Sequence, residues 1–377
     1  DRGGRNAKRK DISSLVKEFN ATLTGGKIAK IAQPENDELL LTIKNFRNQY
    51  RLLISAGASL PLIYLTGDNK PSPMTAPNFC MLLRKHIANG KILRIWQPGL
   101  ERIIHFEIEH LNDLGDLCHK VLTVEIMGKH SNIIFCDDNN KIIDSIKHVG
   151  IQMSSVREVL PGREYFIPHT QDKENPLTIT EERFRETVLT KPLPLSKALY
   201  MTLTGISPLI AEEICHRASL ESDQSANSFS DTEATHLYHT FSRLMEDVKN
   251  GNFTPTVVYD GREPLEFSAL PLTLYQDKRV ETFESISAVL ENYYAMKNTI
   301  TRIRQRSSDL RRIVNTALER NRKKYELQLR QLKDTEKREK FRVYGELINT
   351  YGYNLEPGAK KLEALNYYSN EMVTIPL

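Results

Sequence analysis

The chain contains little cysteine: four residues among 377, with no C-x-x-C pair. They are Cys80, Cys118, Cys136 and Cys215. Zinc sites need closely spaced Cys and His ligands, so this spacing argues against a zinc finger. Scattered thiols without a secretory signal are typical of a reduced, cytoplasmic protein.

Long hydrophobic runs are also missing. The longest, Leu60–Leu65, is far shorter than the roughly 20 residues that cross a bilayer. The N-terminal segment Asp1–Lys10 has a basic run, but no apolar stretch follows it as in a signal peptide. We therefore expect no membrane association.

Sequence signatures of common enzymes are absent. Gly26-Lys27 and Gly128-Lys129 lack both the upstream Gly and the following Ser or Thr of a phosphate-binding loop. There is no G-x-S-x-G nucleophile motif. On a strand, His105 would share one face with Glu107 and Glu109, which predicts a half-exposed polar face rather than a zinc site. We expect a protein without its own catalytic centre, metal or cofactor.

Positive charge is concentrated in one segment. The net charge is +4, but residues 297–342 hold 16 Lys and Arg against 6 Asp and Glu, a local charge of +10 that leaves −6 elsewhere. Such an excess favours a polyanionic partner such as RNA, although a solvated charged helix has the same composition.

Apolar periodicity predicts an α+β protein. An amphipathic helix near Ile12–Leu23 ends at Gly25-Gly26, and a second helix covers Asn78–Ala88. Short runs bounded by turn residues predict a mainly antiparallel sheet. Its strands are expected at 27–32, 38–44, 49–55, 63–66, 92–97, 103–110, 121–126, 132–136 and 141–148.

Helical periodicity takes over at 181–250. Within it, Leu203–Ile214 has the pattern helix, Gly turn, helix, with Ser207 as N-cap and Pro208 at the first helical position. A helix–hairpin–helix of this kind can expose turn amides to phosphates, although ordinary helical packing uses the same turn.

The last third of the chain predicts two strands, Thr254–Tyr259 and Phe267–Tyr275, then a long helix from near Ser285. Apolar residues recur along this helix at three-, four- and seven-residue spacings, which favours one arm of a coiled coil. They are Ile303, Leu310, Val314, Ala317, Tyr325, Leu329 and Leu332. Helicity breaks at Pro357-Gly358, and two short strands are expected in the tail, at 362–368 and 372–376.

We divide the chain into a β-rich domain (1–178), a helix–hairpin–helix domain (179–252), a strand-containing connector (253–283) and a coiled-coil arm with its tip (284–377).

Four blocks cluster basic and polar residues without forming a nucleophile, metal or cofactor site: Phe79–His86, Glu101–Phe106, Glu125–Asn132 and Arg157–Gly162. Together with Gly345-Glu346-Leu347 and Asn366-Tyr367-Tyr368, they resemble the NFACT family of ribosome quality-control factors. The resemblance runs from about Asp11 to Leu377. The NFACT-R domain that follows in this family is missing, so we interpret the chain as an N-terminal fragment with a truncated arm.

The resemblance implies a fold and a function. The implied fold is a β-rich domain similar to MutM-type DNA glycosylases, then a helix–hairpin–helix domain, then a coiled-coil hairpin reaching along the ribosome. Family members bind the large ribosomal subunit obstructed by peptidyl-tRNA and recruit alanyl-tRNA, which extends the stalled nascent chain with an alanine tail. The implied partners are therefore the rRNA and proteins of the large subunit, tRNA and nascent-chain peptidyl-tRNA.

The resemblance also implies site residues. An acidic–Arg pair that the family needs for tRNA recruitment falls on Glu101-Arg102, with Glu where the family usually has Asp, and an Asp of the first helix falls on Asp11. Arg102 offers a planar fork of donors to a phosphate or base edge, and Glu101 can orient it. A structural salt bridge at a strand start is the alternative.

Further candidates are basic. For tRNA they are Arg84, Lys85, Lys129 and His130, where a polar turn between strands is the alternative for the last two. For rRNA they are four arm residues, Arg320, Arg322, Lys323 and Lys324.

Two other functions compete with this one. A fibronectin-binding surface adhesin follows from an older description of family members, but no secretory signal or wall anchor is visible. A DNA glycosylase follows from the MutM-like domain order. Those enzymes use an N-terminal Pro amine, an adjacent Glu and usually a four-Cys zinc finger, and neither Asp1-Arg2 nor the scattered cysteines match.

Overall fold

The computed structural model describes the backbone of residues 8–58, 61–168 and 172–377, and their side chains except those of 8–11, 297–298 and 301–302. Asp1-Arg2 lies outside the described residues. The chain forms two compact units, divided between Asn298 and Thr299.

A large antiparallel sheet dominates the first unit. Its strands are β1 (Lys27–Glu35), β2 (Glu38–Asn45), β3 (Asn48–Ser55), β4 (Leu62–Thr66), β5 (Lys91–Trp96), β6 (Ile103–Leu111), β7 (Leu117–Glu125), β8 (Asn132–Asp137) and β9 (Ile142–Ser145). Their spatial order is β4-β3-β2-β1-β5-β6-β7-β8-β9. The pairing between β1 and β5 is short, with Lys27 opposite Lys91. Apolar side chains from the strands on both sides of this pairing line one core. The predicted α+β class is confirmed.

Two helices cover this core, near the predicted positions. They are α1 (Lys8–Thr22) and α2 (Asn78–Ile87). Each buries residues three or four positions apart, namely Ile12, Leu15 and Phe19 in α1 and Phe79, Leu83 and Ile87 in α2. That spacing places them on one face of each helix, which is the face turned to the sheet.

The region after residue 180 is helical, as predicted. It contains α3 (Glu181–Thr187), α4 (Leu195–Thr202), α5 (Pro208–Arg217) and α6 (Asp231–Lys249), which pack around a second core. The Ser207 hydroxyl oxygen accepts a hydrogen bond from the Ile210 amide at 3.2 Å, and Pro208 opens α5. The helix–turn–helix layout and its cap are confirmed.

The turn between α4 and α5 is buried, which favours ordinary helical packing over the alternative of amides exposed to phosphates. Gly205 has φ +77°, and a Cβ there would lie 2.5 Å from the Cβ of Leu100. Ile206 and Ser207 are buried as well. Glycine permits both the left-handed backbone and this close approach. The turn is therefore a packing surface for the loop that holds Leu100.

The connector has three strands instead of two. In it, β10 (Thr256–Asp260) pairs with both β11 (Glu263–Ser268) and β12 (Arg279–Thr282). The predicted strand Phe267–Tyr275 is wrong over most of its length: β11 shares only residues 267 and 268 with it, and residues 273–275 form a 3-10 turn. The buried Glu213 carboxylate accepts from the Thr273 and Leu274 amides of that turn, at 2.7 and 3.1 Å. Sequence patterns missed β12 because its residues are polar and mostly exposed.

The predicted long helix is α7 (Ile286–Tyr351), 66 residues in length, and its residues from Thr299 onward lie in the second unit. The predicted tail strands are also present: β13 (Lys361–Asn366) and β14 (Glu371–Pro376) form an antiparallel hairpin that packs on Leu347 of α7. None of the helices in the described ranges combines the length and apolar character of a membrane span.

Candidate nucleic-acid interface

The loop that carries Glu101 and Arg102 joins β5 to β6 and is held at several points. Leu100 is 2% exposed because it inserts into the core of the helical region. The Glu101 amide donates to the Pro98 carbonyl at 3.0 Å. The Gln97 side chain donates to the Glu101 carbonyl at 2.7 Å. Both candidate side chains are partly exposed on this fixed loop.

Helix α1 adjoins the same loop. The Ser13 hydroxyl donates to the Gln97 side-chain oxygen at 2.7 Å, and the side-chain amide of Asn20 donates to the Ile95 carbonyl at 2.9 Å. Asp11 lies two residues before Ser13, so its helix position is next to the Glu101-Arg102 loop, while its side chain lies outside the described residues.

Lys129 and His130 lie at the same end of the sheet. They form part of a 3-10 turn, Gly128–His130, which begins three residues after the end of β7, and both are exposed. The Ile126 amide donates to the Arg102 carbonyl at 2.9 Å, so the turn begins beside the loop. The Ser131 hydroxyl fixes the turn by donating to the Gly128 carbonyl at 2.7 Å. The structure therefore gathers two candidate pairs that are distant in sequence.

Arg84 and Lys85 lie elsewhere. They occupy the last turn of α2, from which the chain enters β5 at Lys91, opposite Glu109 of β6. Glu109 is seven residues along the strand from Arg102, or about 23 Å. The Arg84 Nε donates to the Ile31 carbonyl at 2.8 Å, which ties it to the sheet. One compact site cannot include all of the tRNA candidates, and a contact by Arg84 and Lys85 remains a prediction about a second surface.

The polar face of β6 is covered at His105, which corrects the expectation of a half-exposed residue. Its Nδ1 is 2.8 Å from Thr123 Oγ1, and its ring packs against Trp96 and Tyr165 at centroid distances of 5.0 and 6.1 Å. Burial, and to a smaller degree the charge of Arg94, lowers the pKa of His105 to about 4. The imidazole is therefore neutral at pH 7.

Two of the sequence blocks meet in a buried ion pair. The Glu125 side chain is fully buried and pairs with Arg157. Its second oxygen accepts from the Tyr165 hydroxyl at 2.9 Å, and Arg157 also donates to the Phe166 carbonyl at 2.7 Å. Burial, followed by the Glu125 charge, raises the pKa of Tyr165, so the hydroxyl remains a donor. Sequence reasoning noticed both blocks but missed their pairing, which spans 32 residues.

The four arm candidates are exposed on α7, and none of them forms an ion pair with another described side chain. On a helix, Arg320, Lys323 and Lys324 fall on one side, because they are three and four residues apart. Arg322 lies about 200° round the axis from Arg320. A flat phosphate surface could therefore contact three of the four together. The apolar stripe is exposed too, with Leu310 62% and Leu332 57% accessible, so the coiled coil remains a prediction.

Residues 10–377 match the family model described as NFACT N-terminal and middle domains. The chain belongs to the NFACT family. Among the described residues of this NFACT chain, no group of three or more His, Cys, Asp or Glu side chains could hold a metal ion.

Curated NFACT relatives are similar over most of the chain. The Rqc2 homolog RqcH of Bacillus subtilis is 36% identical over 367 residues, which cover 96% of this chain and 62% of that protein. RqcH of Streptococcus suis is 32% identical over 97% of this chain and 62% of its own length. The human ribosome quality control complex subunit NEMF is 24% identical over 54% of this chain and 18% of its own length. The chain thus spans about three fifths of the RqcH relatives.

Solved structures agree with the fold. The N-terminal part of the fibronectin/fibrinogen-binding protein from Streptococcus suis is 30% identical with a TM-score of 0.63, covering 76% of this chain and 98% of that one. The fibrinogen-binding protein from Staphylococcus aureus is 29% identical with a TM-score of 0.64, at the same coverage.

Proposed function

We propose that this chain is the RNA-binding part of a ribosome-associated quality-control factor. The factor binds large subunits obstructed by peptidyl-tRNA and recruits alanyl-tRNA, so that the stalled nascent chain receives a C-terminal alanine tail. The chain works in the cytoplasm by binding and positioning RNA, without a catalytic centre of its own. The names of the RqcH and NEMF relatives support the ribosomal role.

The tRNA assignment rests on one observation: the Glu101-Arg102 loop and the Lys129-His130 turn lie together at one end of the sheet. Arg102 and Glu101 lie on a loop anchored by Leu100, and the Lys129-His130 turn begins beside it. An arginine on an anchored loop with Lys129 nearby suits RNA, because the planar guanidinium can bind a base edge or a phosphate while the lysine neutralises the RNA backbone. In this proposal Glu101 orients Arg102 or accepts from an exocyclic amine.

The arm supplies the second contact. Its Lys and Arg residues from 304 to 342 are all exposed on the helix, where Arg320, Lys323 and Lys324 can meet rRNA phosphates on one side. The exposed apolar stripe would pair with a returning helix to form the coiled coil. The two RNA contacts then rest on different elements, so mutation should separate them.

The test uses the full-length protein that contains this chain. Arg102→Ala should abolish tRNA co-purification and alanine tailing while large-subunit association stays nearly intact. Arg102→Lys should also fail, because an ammonium keeps the charge but loses the planar fork. Glu101→Asp, which restores the usual family carboxylate, should be tolerated. Arg47→Ala, an exposed arginine in the β2–β3 turn, is the matched control.

Co-sedimentation with obstructed large subunits and quantification of tRNA in the same pull-down give both readouts. If folded Arg102→Ala loses ribosome and tRNA together, the pair is structural and the site assignment is wrong. If full-length wild-type protein does not associate with large subunits, the proposed function itself is wrong.

The alternative is a fibronectin-binding surface adhesin, and fibronectin binding appears in the name of the Streptococcus suis relative. It predicts export of the full-length protein and saturable binding to immobilised fibronectin. Fractionation of cells into cytoplasm, surface and medium distinguishes it from the ribosomal function.

A further inference from the structure

A cation–aromatic stack lies on the outer face of β5. The Arg94 guanidinium carbon is 4.3 Å from the centroid of the Trp96 ring. Residues two apart on a strand share a face, so the two side chains stack along the surface. Arg94 is exposed, and no described side chain forms an ion pair with it. Its N–H groups and outer face are therefore open to solvent.

The indole beneath Arg94 is fixed in place. Trp96 is half-buried and packs against His105, with the ring planes inclined by 39°. Thr123 holds His105 through its Nδ1, and Tyr165 closes the other side of the imidazole at 85°. Because His105 is neutral at pH 7, it adds no charge under the arginine. The guanidinium thus rests on a rigid aromatic base.

The stack lies close to the proposed tRNA contact. Trp96 directly precedes Gln97, whose side chain binds the Glu101 carbonyl. Trp96 is paired in register with His105, which is three residues along the chain from Arg102. Three strand residues span about 10 Å, and Arg94, which is in register with Glu107, lies five strand residues or about 17 Å from Arg102. A short single-stranded segment of RNA can reach across both distances.

We propose that Arg94, supported by Trp96, is a stacking platform for an unpaired nucleobase of the RNA that Arg102 contacts. Guanidinium planes and aromatic rings both stack on unpaired bases, and this contact needs bases that are free of a helix. The proposal rests on the proposed RNA-binding function and adds a ligand class, an unpaired base, and two contact residues.

A purely structural role for the pair makes a different prediction. An exposed cation–aromatic contact stabilises a fold modestly, and lysine can replace arginine in it. A base-stacking role requires the planar guanidinium, so Arg94→Lys should impair RNA binding while leaving the fold intact. This variant separates stacking from charge.

Trp96 is the only tryptophan, so its fluorescence reports directly on the platform. The 377-residue chain is titrated with an RNA stem-loop with an unpaired loop, with the same stem as a closed duplex, and with heparin, a polyanion without bases. The stem-loop should quench Trp96, while the duplex and heparin should quench it little. Arg94→Lys should weaken stem-loop binding about 5- to 20-fold. It should leave duplex and heparin affinity unchanged. Arg262→Lys, an exposed arginine in the β10–β11 turn, is the matched control.

Each other outcome has a definite meaning. If Arg94→Lys binds the stem-loop like wild type while Arg102→Ala does not, the platform is wrong and the proposed function stands. Equal quenching by heparin would mean that anionic groups and not bases bind at Arg94 and Trp96, which would also overturn the platform proposal. If wild-type chain binds no RNA and full-length protein binds no large subunits, both proposals fail together.

Discussion

Removing Arg157 should be among the most damaging single changes in the first unit, because it leaves a buried charge without its partner. The Glu125 side chain has no exposed surface and that of Arg157 is 10% exposed. Breaking such a pair from one side typically costs about 3–5 kcal/mol. We expect Arg157→Met, which keeps the length of the apolar stem, to lower the free energy of unfolding by that amount.

A nearby arginine provides the matched control. Arg163 pairs with Glu158 at 2.8 Å, but its side chain is 62% exposed. An exposed pair contributes about 0.2–1 kcal/mol, so Arg163→Met should be nearly silent. The two variants change the same residue type in the same segment and differ mainly in burial.

The assay is urea unfolding followed by Trp96 fluorescence, which reports on the surrounding sheet. With a urea dependence of roughly 2 kcal/mol per M, the midpoint for Arg157→Met should fall by about 1.5–2.5 M. Adding Glu125→Gln should recover part of the loss, because a neutral amide oxygen still accepts from Tyr165. If Arg157→Met and Arg163→Met destabilise the chain equally, within about 1 kcal/mol, the ion pair is not desolvated and the reasoning is wrong.

Three further outcomes are expected. Gly205→Ala should lower the melting temperature much more than Gly162→Ala; both have a left-handed backbone, but a Cβ meets Leu100 only at position 205, and equal losses would mean that the contact relaxes freely. The pKa of His105 is about 4 in the folded chain, below the ordinary 6.5. Between pH 6.5 and 4 only the unfolded chain takes up a proton at His105, so the free energy of unfolding should fall by up to about 3 kcal/mol across that range. Unfolding of His105→Gln, measured across that range, should therefore vary less with pH than wild type, and an identical pH profile would refute the assignment. Log affinity for rRNA should fall linearly with log salt concentration, and glutamate substitutions should flatten the slope when made together at Arg320, Lys323 and Lys324; a salt-independent affinity would contradict this.

Sequence patterns predicted most of the helices and strands and their order along the chain. Alternation places the strands of the large sheet, and three- and four-residue spacing places α1 and α2, since local periodicity records which side of an element is buried. Helix caps are local as well, so the sequence alone predicts Ser207 as the N-cap of α5. The polar β12 was missed because a strand at the edge of a small sheet carries little apolar signal.

Only the tertiary structure determines which residues lie close to one another. The Lys129-His130 turn lies beside Arg102 because β6 and β7 pair antiparallel. Arg84 lies far from Arg102 because the chain passes from α2 into β5 at the opposite end of the sheet. The pairing of Glu125 with Arg157 and the burial of the turn at Gly205 also depend on contacts between segments far apart in the chain. Residue types and local spacing determine which side chains can bind RNA, while the packing of distant segments determines which of them can bind it together.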